Sequence, residues 1–270
     1  MDTNEFIDKI RKNRIAIYGI GYFAMRFYRI LIKKNLSDNL IFFITTEGKS
    51  KVEGYEVLSV DDYRIDDNIL ILIAVHESIK DNIIRNLELY GHKNHIWINS
   101  EMLYRFILGE PIKQNVRVPI KKIWLANRDN FSMAVRYLVV DNYYGKNVNG
   151  YAIYKDLFSM FNTPQTSESR LRQFIELIKS WEKNGYKREN VSSILDDFSY
   201  VDGTHRISLA SYFNLEYVEC NIYSSKCDKE LIHSKISMLP KLLIYEMNID
   251  EKIINILEET NRRIDKQYGI

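Results

Sequence analysis

A short run from Arg14 to Tyr18 (RIAIY) passes without a spacer into Gly19-Ile20-Gly21-Tyr22-Phe23-Ala24, and a helical pattern follows through Met25, Phe27, Tyr28, Ile30 and Leu31. Strand, glycine turn, helix is the context that gives a G-x-G-x-x-G/A string physical meaning. Gly19 permits the tight turn, Gly21 lets a ligand approach the backbone, and Ala24 lets the helix pack closely on the strand. The first N–H groups of that helix are available to an anion.

The pattern continues in the same alternation. Leu40 to Thr45 (LIFFIT) predicts a second strand, Gly54-Tyr55-Glu56-Val57 a hairpin-like piece, and Ile69 to Val75 (ILILIAV) a buried strand. A helix is expected from about Ser78 to Leu89, stopped by Gly91, with a last strand over His95 to Ile98. Strands alternating with helices imply a parallel sheet covered on both faces. Dinucleotide-binding dehydrogenases place an acidic residue at the end of the second strand. Here Glu47 is available but lies past Thr45-Thr46, which weakens an oxidoreductase reading. His76 follows a strand end, where ligands often bind in open sheets, although an exposed loop histidine is the simpler account of it.

These residues, from about 12 to 100, resemble the small Rossmann-like domains at the start of bacterial sugar-modifying and surface-polysaccharide proteins. The resemblance implies a domain over residues 1–105 that binds nucleotide-sugars or related nucleotides in some members and serves as a scaffold in others. In this chain it would use Gly19, Gly21 and Ala24 as the cofactor-binding turn.

Composition narrows the classes of function. With 38 Lys and Arg against 36 Asp and Glu, the formal charge is +2, so no basic field marks a duplex nucleic-acid binder. Hydrophobic residues make up 46% of the 270-residue chain, enough to fill two ordinary domain cores. The cysteines, Cys220 and Cys227, lack metal-type spacing, and Cys220 sits in an apolar run that predicts a buried thiol. No window approaches the ~20 apolar residues of a membrane span, and the opening MDTNEFIDKIRKNR has no apolar signal region. A cytoplasmic protein is the expectation.

Past Leu108 the pattern weakens. Pro111 and Pro119 suggest a linker, Ile120 to Trp124 a strand, and Asn127-Arg128-Asp129-Asn130 a polar turn entering a helix. Asp129 or Asn130 suffices as a cap there; the alternative is that Arg128 and Arg136 reach a ligand phosphate. From Ser169 to Trp181 an amphipathic helix places residues 171, 174, 175, 178 and 181 on one face, and Gly185 stops it. Ser192 to Leu195 and Tyr200-Val201 read as strands around the Asp196-Asp197 turn. Asp202-Gly203-Thr204-His205-Arg206 then opens a helix that Asn214 ends, and Tyr217 to Tyr223 is a final strand.

The turn has a chemistry of its own. Gly203 removes a Cβ, the helix N-terminus offers amides to an anion, and Arg206 adds a bidentate guanidinium. His205 can donate a hydrogen bond or titrate near neutrality, and Asp202 can bind Mg²⁺ or act as a base. A purely structural account also exists, in which Asp202 and Thr204 cap the helix and Arg206 forms a surface pair.

In its order of elements, helix, strand, turn, strand with V-D-G-T-H-R, helix, then L-x-Y-V-x-C-x-I, the segment from about 165 to 223 resembles the ParB/sulfiredoxin superfamily. The resemblance implies an α+β domain over residues 106–270 whose strand-to-helix turn binds nucleotide phosphates. Members include DNA-partition CTPases, ATP-using sulfiredoxins and kinases that phosphorylate free serine through a D-G-H-H-R motif. Sulfiredoxins carry a reactive cysteine where Thr204 stands here. Partition proteins continue into a DNA-reading helix-turn-helix, where this chain has only a helical tail from Lys252 to Tyr268, a packing or dimerising helix.

The leading expectation is therefore a nucleotide-dependent phosphotransferase acting on a small metabolite or sugar, with surface-polysaccharide synthesis as a setting. It would use ATP or another nucleoside triphosphate with Mg²⁺, and neither DNA nor a membrane would be a partner. Asp202, His205 and Arg206 would carry the chemistry, with Asp202 holding the metal. Gly203, Thr204, Arg170 and Arg172 would hold the nucleotide. The alternative is a non-catalytic nucleotide-binding or nucleotide-sugar-binding regulatory module.

Overall fold

Arg14–Tyr18 is a strand (β1) whose last four residues are buried, and Ile69–Ile73 (β5) is buried at every position. Continuous burial of this kind belongs to strands covered on both faces. The computed structural model describes residues 2–270 other than 63, 67, 76, 147–148, 161–162, 188–190, 227–238 and 248. The chain divides into two units, Met1–Glu110 and Pro111–Ile270.

In the first unit β1 pairs in parallel with β5 and with β2 (Leu40–Thr45). Further parallel pairs join β2 to β4 (Tyr55–Ser59) and β5 to β6 (His95–Trp97). Among the described residues the antiparallel partner is β3 (Lys49–Val52), which forms a hairpin with β4, so the order is β3-β4-β2-β1-β5-β6. Between strands run α2 (Tyr22–Lys33) and α3 (Glu77–Leu89). Two helices frame the unit: α1 (Thr3–Lys12), capped by Asp2, and α4 (Ser100–Leu108), capped by Asn99. Phe6 of α1 meets Phe106 of α4 edge to face at 5.3 Å, which ties α4 to this unit. The division accordingly falls after Glu110 rather than after residue 105.

The second unit holds a four-stranded sheet, ordered β7 (Lys113–Pro119), β10 (Tyr217–Tyr223), β8 (Ser192–Leu195) and β9 (Tyr200–Asp202). The pairs β7/β10 and β8/β9 are antiparallel, and β10/β8 is parallel. The segment expected as a linker is thus the edge strand β7. Only Val118 of it is buried, which leaves little apolar pattern to read. The strand expected at Ile120 to Trp124 is instead a helix, α5 (Ile120–Ala126), entered from Pro119. Its buried residues, Ile120, Ile123 and Trp124, are spaced i, i+3, i+4, with Lys121 and Lys122 exposed between them, which is helical and not alternating spacing.

Among the described residues six more helices follow. They are α6 (Ser132–Tyr143), α7 (Gly150–Ser159), α8 (Pro164–Asn184), α9 (Thr204–Tyr212), α10 (Lys241–Glu246) and α11 (Glu251–Gln267). In α6 every residue from Ser132 to Asp141 is buried, and α7, α9 and α11 pack around it. Gly150 is what lets α7 cross α6 so closely, since a Cβ there would overlap the Leu138 carbonyl. The tail helix packs within its own unit. Asp265 of α11 accepts from Trp124 Nε1 at 3.0 Å and from Arg128 Nη2 at 2.7 Å, while Arg263 meets the buried Asp141 at 2.8 Å. Among the described residues no helix is long and apolar enough to cross a membrane.

Candidate functional site

A single residue, Gly203, separates the end of β9 from the start of α9. Its φ of 84° lies in the left-handed region that side-chain-bearing residues avoid. A Cβ there would overlap Ser192 Oγ, lie 2.8 Å from Ser192 Cβ and 3.0 Å from Arg206 Nη2. No side chain caps α9, so the capping role considered for Asp202 and Thr204 is not realised. Asp202 instead faces Arg206 of the same helix, 3.6 Å from its Nη2, with nearly half its side chain exposed.

His205 folds inward from the first turn of α9. Its ring stacks on Phe174 of α8, centroids 4.4 Å apart and planes 17° from parallel. Nε2 lies 3.1 Å from the Tyr154 hydroxyl of α7. Burial, reinforced by the charges of Arg136, Arg170 and Arg206, holds its pKa well below the usual 6.5. The expectation that this histidine titrates near neutrality is therefore corrected: at neutral pH the ring carries no charge.

Arg136 enters the same place from α6 and is only 4% exposed. Its Nη1 donates to the Ser132 carbonyl at 2.7 Å and to Ser132 Oγ at 2.8 Å, and its guanidinium lies 5.5 Å above the Phe158 ring. No carboxylate pairs with it among the described residues, and its Nε has no hydrogen-bond partner. Burial lowers its pKa, and the nearby Arg170 charge adds to the effect. Buried arginines are ordinarily paired. Further polar atoms are buried without partners: Arg206 Nε and Ser208 Oγ on α9, Tyr200 OH on β9, and Ser167 Oγ on α8. Orphaned buried polar atoms are uncommon in folded proteins, and several in one unit need an explanation.

On α8, Ser167, Arg170 and Phe174 follow one another at helical spacing on one face. Arg170 makes neither an ion pair nor a hydrogen bond among the described residues, yet its charge bears on both His205 and Arg136. Arg172 does not join it. That side chain is three-quarters exposed and paired with Glu168 at 3.5 Å. Arg128, the other arginine considered for a phosphate, is committed to Asp265. Asn130 Oδ1 accepts from Ser132 N at 3.1 Å just ahead of α6, but the N-cap position is Phe131 and no side chain caps the helix, so the capping role considered for Asp129 or Asn130 is not realised. Among the described residues no group of three or more His, Cys, Asp or Glu could hold a metal.

The glycine turn of the first unit is built differently. Gly19, at φ 115°, has β5 beside it, and a Cβ would come within 3.0 Å of the Ala74 carbonyl and 3.4 Å of Ala24 Cβ. Gly21 precedes α2 at an ordinary φ of −77° and faces open space. Ala24 is fully buried, so Gly19 and Ala24 serve close packing while Gly21 leaves room above the uncapped helix. Glu47 is exposed, and His76 lies outside the described residues. Cys220 is a buried free thiol whose pKa burial pushes up to about 12, and Cys227 also lies outside the described residues.

Sequence reasoning named Arg136 only together with Arg128, as an alternative to a capping account of that turn, and did not place Tyr154, Tyr200, Ser167 or Ser208 in the site. A usable signal was present. The run Ser-Met-Ala-Val-Arg-Tyr-Leu-Val-Val-Asp from Ser132 has no polar face, so the helix had to be buried all round and to carry its arginine inside. No family model, curated protein or solved structure matches this chain.

Proposed function

We propose that the second unit is a ParB/sulfiredoxin-like domain that binds nucleotide phosphates at the Gly203 turn, and that the protein is a nucleotide-dependent phosphotransferase acting on a small metabolite or sugar. The observation that carries this reading is the turn itself. A left-handed glycine opens an uncapped helix, and Arg206 presents a buried, unpartnered Nε beside it. Amides and a guanidinium directed at one place suit an anionic phosphate chain. The first unit fits a Rossmann-like domain, with Gly21 as the open point of its turn. Surface-polysaccharide synthesis as the setting rests on the resemblance of that unit, and nucleoside triphosphate use agrees with a cytoplasmic location.

In the proposed reaction an acceptor hydroxyl attacks the terminal phosphorus, the bond to the bridging oxygen breaks, and the nucleoside diphosphate leaves. Asp202, half exposed at the lip of the turn, receives the hydroxyl proton. Arg206 and the α9 amides hold the phosphate oxygens, and the uncharged His205 donates or accepts a hydrogen bond without adding charge. Phosphoryl transfer asks mainly for this kind of positioning and charge neutralisation. Asp202 is a hard oxygen donor of the kind Mg²⁺ takes together with substrate phosphates, where the ion would neutralise phosphate charge.

A second reading, nucleotide binding without turnover, draws support from the Asp202–Arg206 pair at 3.6 Å, which engages the carboxylate that catalysis would use. Calorimetry with ATP, CTP and a UDP-sugar, each with Mg²⁺, separates the readings when repeated on Arg206→Ala. Triphosphate binding lost in that variant supports the turn as the nucleotide site. A UDP-sugar bound equally by both proteins would move the working site to Gly19–Ala24. Turnover of bound ATP that disappears in a folded Asp202→Asn protein identifies the transferase, and binding with no product over hours identifies the module.

A further inference from the structure

Two sets of cationic groups meet at His205, one at the turn and one on the helices packed against it. Arg206 belongs to the turn: its Nη2 lies 3.6 Å from Asp202, and its charge reaches Cys220 of β10. Arg136 has other neighbours. It contacts the Ser132 carbonyl and the Phe158 ring, and the charges of Tyr154, Tyr200 and Arg170 bear on it. His205 feels all three arginines from its place on the Phe174 ring.

Most of the Arg136 set comes from helices outside the turn. Arg136 is on α6, Tyr154 on α7 and Arg170 on α8, while Tyr200 lies on β9, the strand that leads into the turn. The set contains two guanidinium groups with no paired carboxylate among the described residues, and it includes the unpartnered buried atoms Arg136 Nε and the Tyr200 hydroxyl. A buried cation without a counter-charge costs free energy in the empty protein, and a bound anion removes that cost. Five N–H donors in a planar fork favour a carboxylate or phosphate oxygen pair over a neutral group.

We infer that Arg136 and Arg170 form a second anion subsite, separate from the nucleotide turn, that takes an acid group carried by the acceptor. The acceptor is then an anionic small molecule, bearing a carboxylate or a phosphate as well as the hydroxyl that is phosphorylated. Naming that ligand an acceptor rests on the phosphotransferase reading, while the subsite itself does not. His205, uncharged and stacked, separates the two anions without adding a fourth positive charge to the three guanidinium groups, and its Tyr154 hydrogen bond fixes the ring.

The test uses the full chain and three probes: a non-hydrolysable ATP analogue with Mg²⁺, inorganic phosphate, and malonate as a carboxylate. Protein saturated with the analogue should still bind one equivalent of phosphate or malonate, and the tighter of the two tells which acid group the acceptor carries. Arg136→Gln and Arg170→Gln should each weaken that anion by roughly tenfold or more, as loss of a charged hydrogen-bond donor does. In the same assay Arg206→Ala should weaken the analogue and leave the anion within about threefold. Because Arg136→Gln removes a buried group, Arg170→Gln and the two-ligand titration of the unmodified protein carry the test if it fails to fold. Anion binding that simply competes with the analogue, no binding of either anion, or unchanged anion affinity in Arg170→Gln overturns the subsite. An analogue that does not bind, beside an anion that binds and is lost in Arg170→Gln, keeps the subsite and rejects the nucleotide reading instead.

Discussion

His205 of the D-G-T-H-R turn lies flat on Phe174, with ring centroids 4.4 Å apart. Phe174 stands thirty-one positions earlier in the chain (205 − 174), on α8, so a helix outside the turn decides where its histidine points. Tyr154, from α7, fixes the other edge of the ring. The turn supplies the residue and the surrounding helices supply its state: uncharged, oriented, and hemmed in by three guanidinium groups.

That state has a consequence for stability against pH. Burial comes first among the causes that hold the folded pKa of His205 below 6.5, so the unfolded chain binds the proton more readily than the folded one. Stability attributable to this residue is intact above the unfolded pKa and is lost as pH falls below it. The slope approaches at most about 1.4 kcal/mol per pH unit for one proton. Urea denaturation between about pH 7.5 and 5 should show this slope in the unmodified protein. His205→Asn should flatten it, and an equal slope in both would mean that another group controls the acid limb.

The turn predicts its own sensitivity. Gly203 adopts φ 84° with Ser192 directly behind it, so Gly203→Ala combines a left-handed penalty with a clash against Ser192 Oγ and Cβ. The conformational part alone costs about 1–2 kcal/mol, and the overlap adds to it. Ser192→Ala in the same chain removes the hydroxyl and should restore part, not all, of the loss, because the Cβ at 2.8 Å remains. Losses that are strictly additive in a double-mutant cycle would contradict the contact.

A stronger effect is expected at Gly150. A Cβ there would overlap the carbonyl of Leu138, backbone against backbone, where α7 crosses α6. Neither helix can yield without moving Arg136 or Tyr154, so Gly150→Ala should lose upward of about 3 kcal/mol and weaken any ligand held by both helices. Thermal melting with and without ligand reads the two effects. A variant as stable as the parent would show that the helices separate freely.

How much of this was legible in the sequence follows from where the information lies. The strands β1, β2 and β5 were readable because each is a continuous apolar run ended by a turn signal. The turn at Gly203 was readable because strand, glycine and helix are adjacent in the chain. The strand β7 was not, since it lies at a sheet edge with one buried residue, and α5 was misread although Ile120, Ile123 and Trp124, parted by Lys121 and Lys122, carry helical spacing over too few residues to stand out. The deep half of the site was hidden for a different reason. Arg136, Tyr154, Ser167 and Tyr200 are distant in sequence and meet only through the packing of α6, α7, α8 and β9, which no local pattern records. Only the polarity-free face of α6 hinted that its arginine had to be inside.

Arg136 offers the sharpest separation of stability from function. A residue kept for folding loses stability when replaced, whereas a buried cation kept for a ligand costs stability while the ligand is absent. Arg136→Met keeps length and apolar stem, removes the charge, and retains contact with Phe158. It forfeits two hydrogen bonds to Ser132, of which the hydroxyl can rotate toward another acceptor and the carbonyl stays within the first turn of α6. Against that loss of about 1 kcal/mol per bond stands the removal of an unpaired buried charge, which is worth more. The ligand-free Arg136→Met protein should therefore match or exceed the parent in urea, while phosphate, which stabilises the parent by mass action, should no longer raise its midpoint. A variant that unfolds far earlier than the parent would mean that α6 needs the guanidinium for its own packing, and the anion would lose its strongest witness.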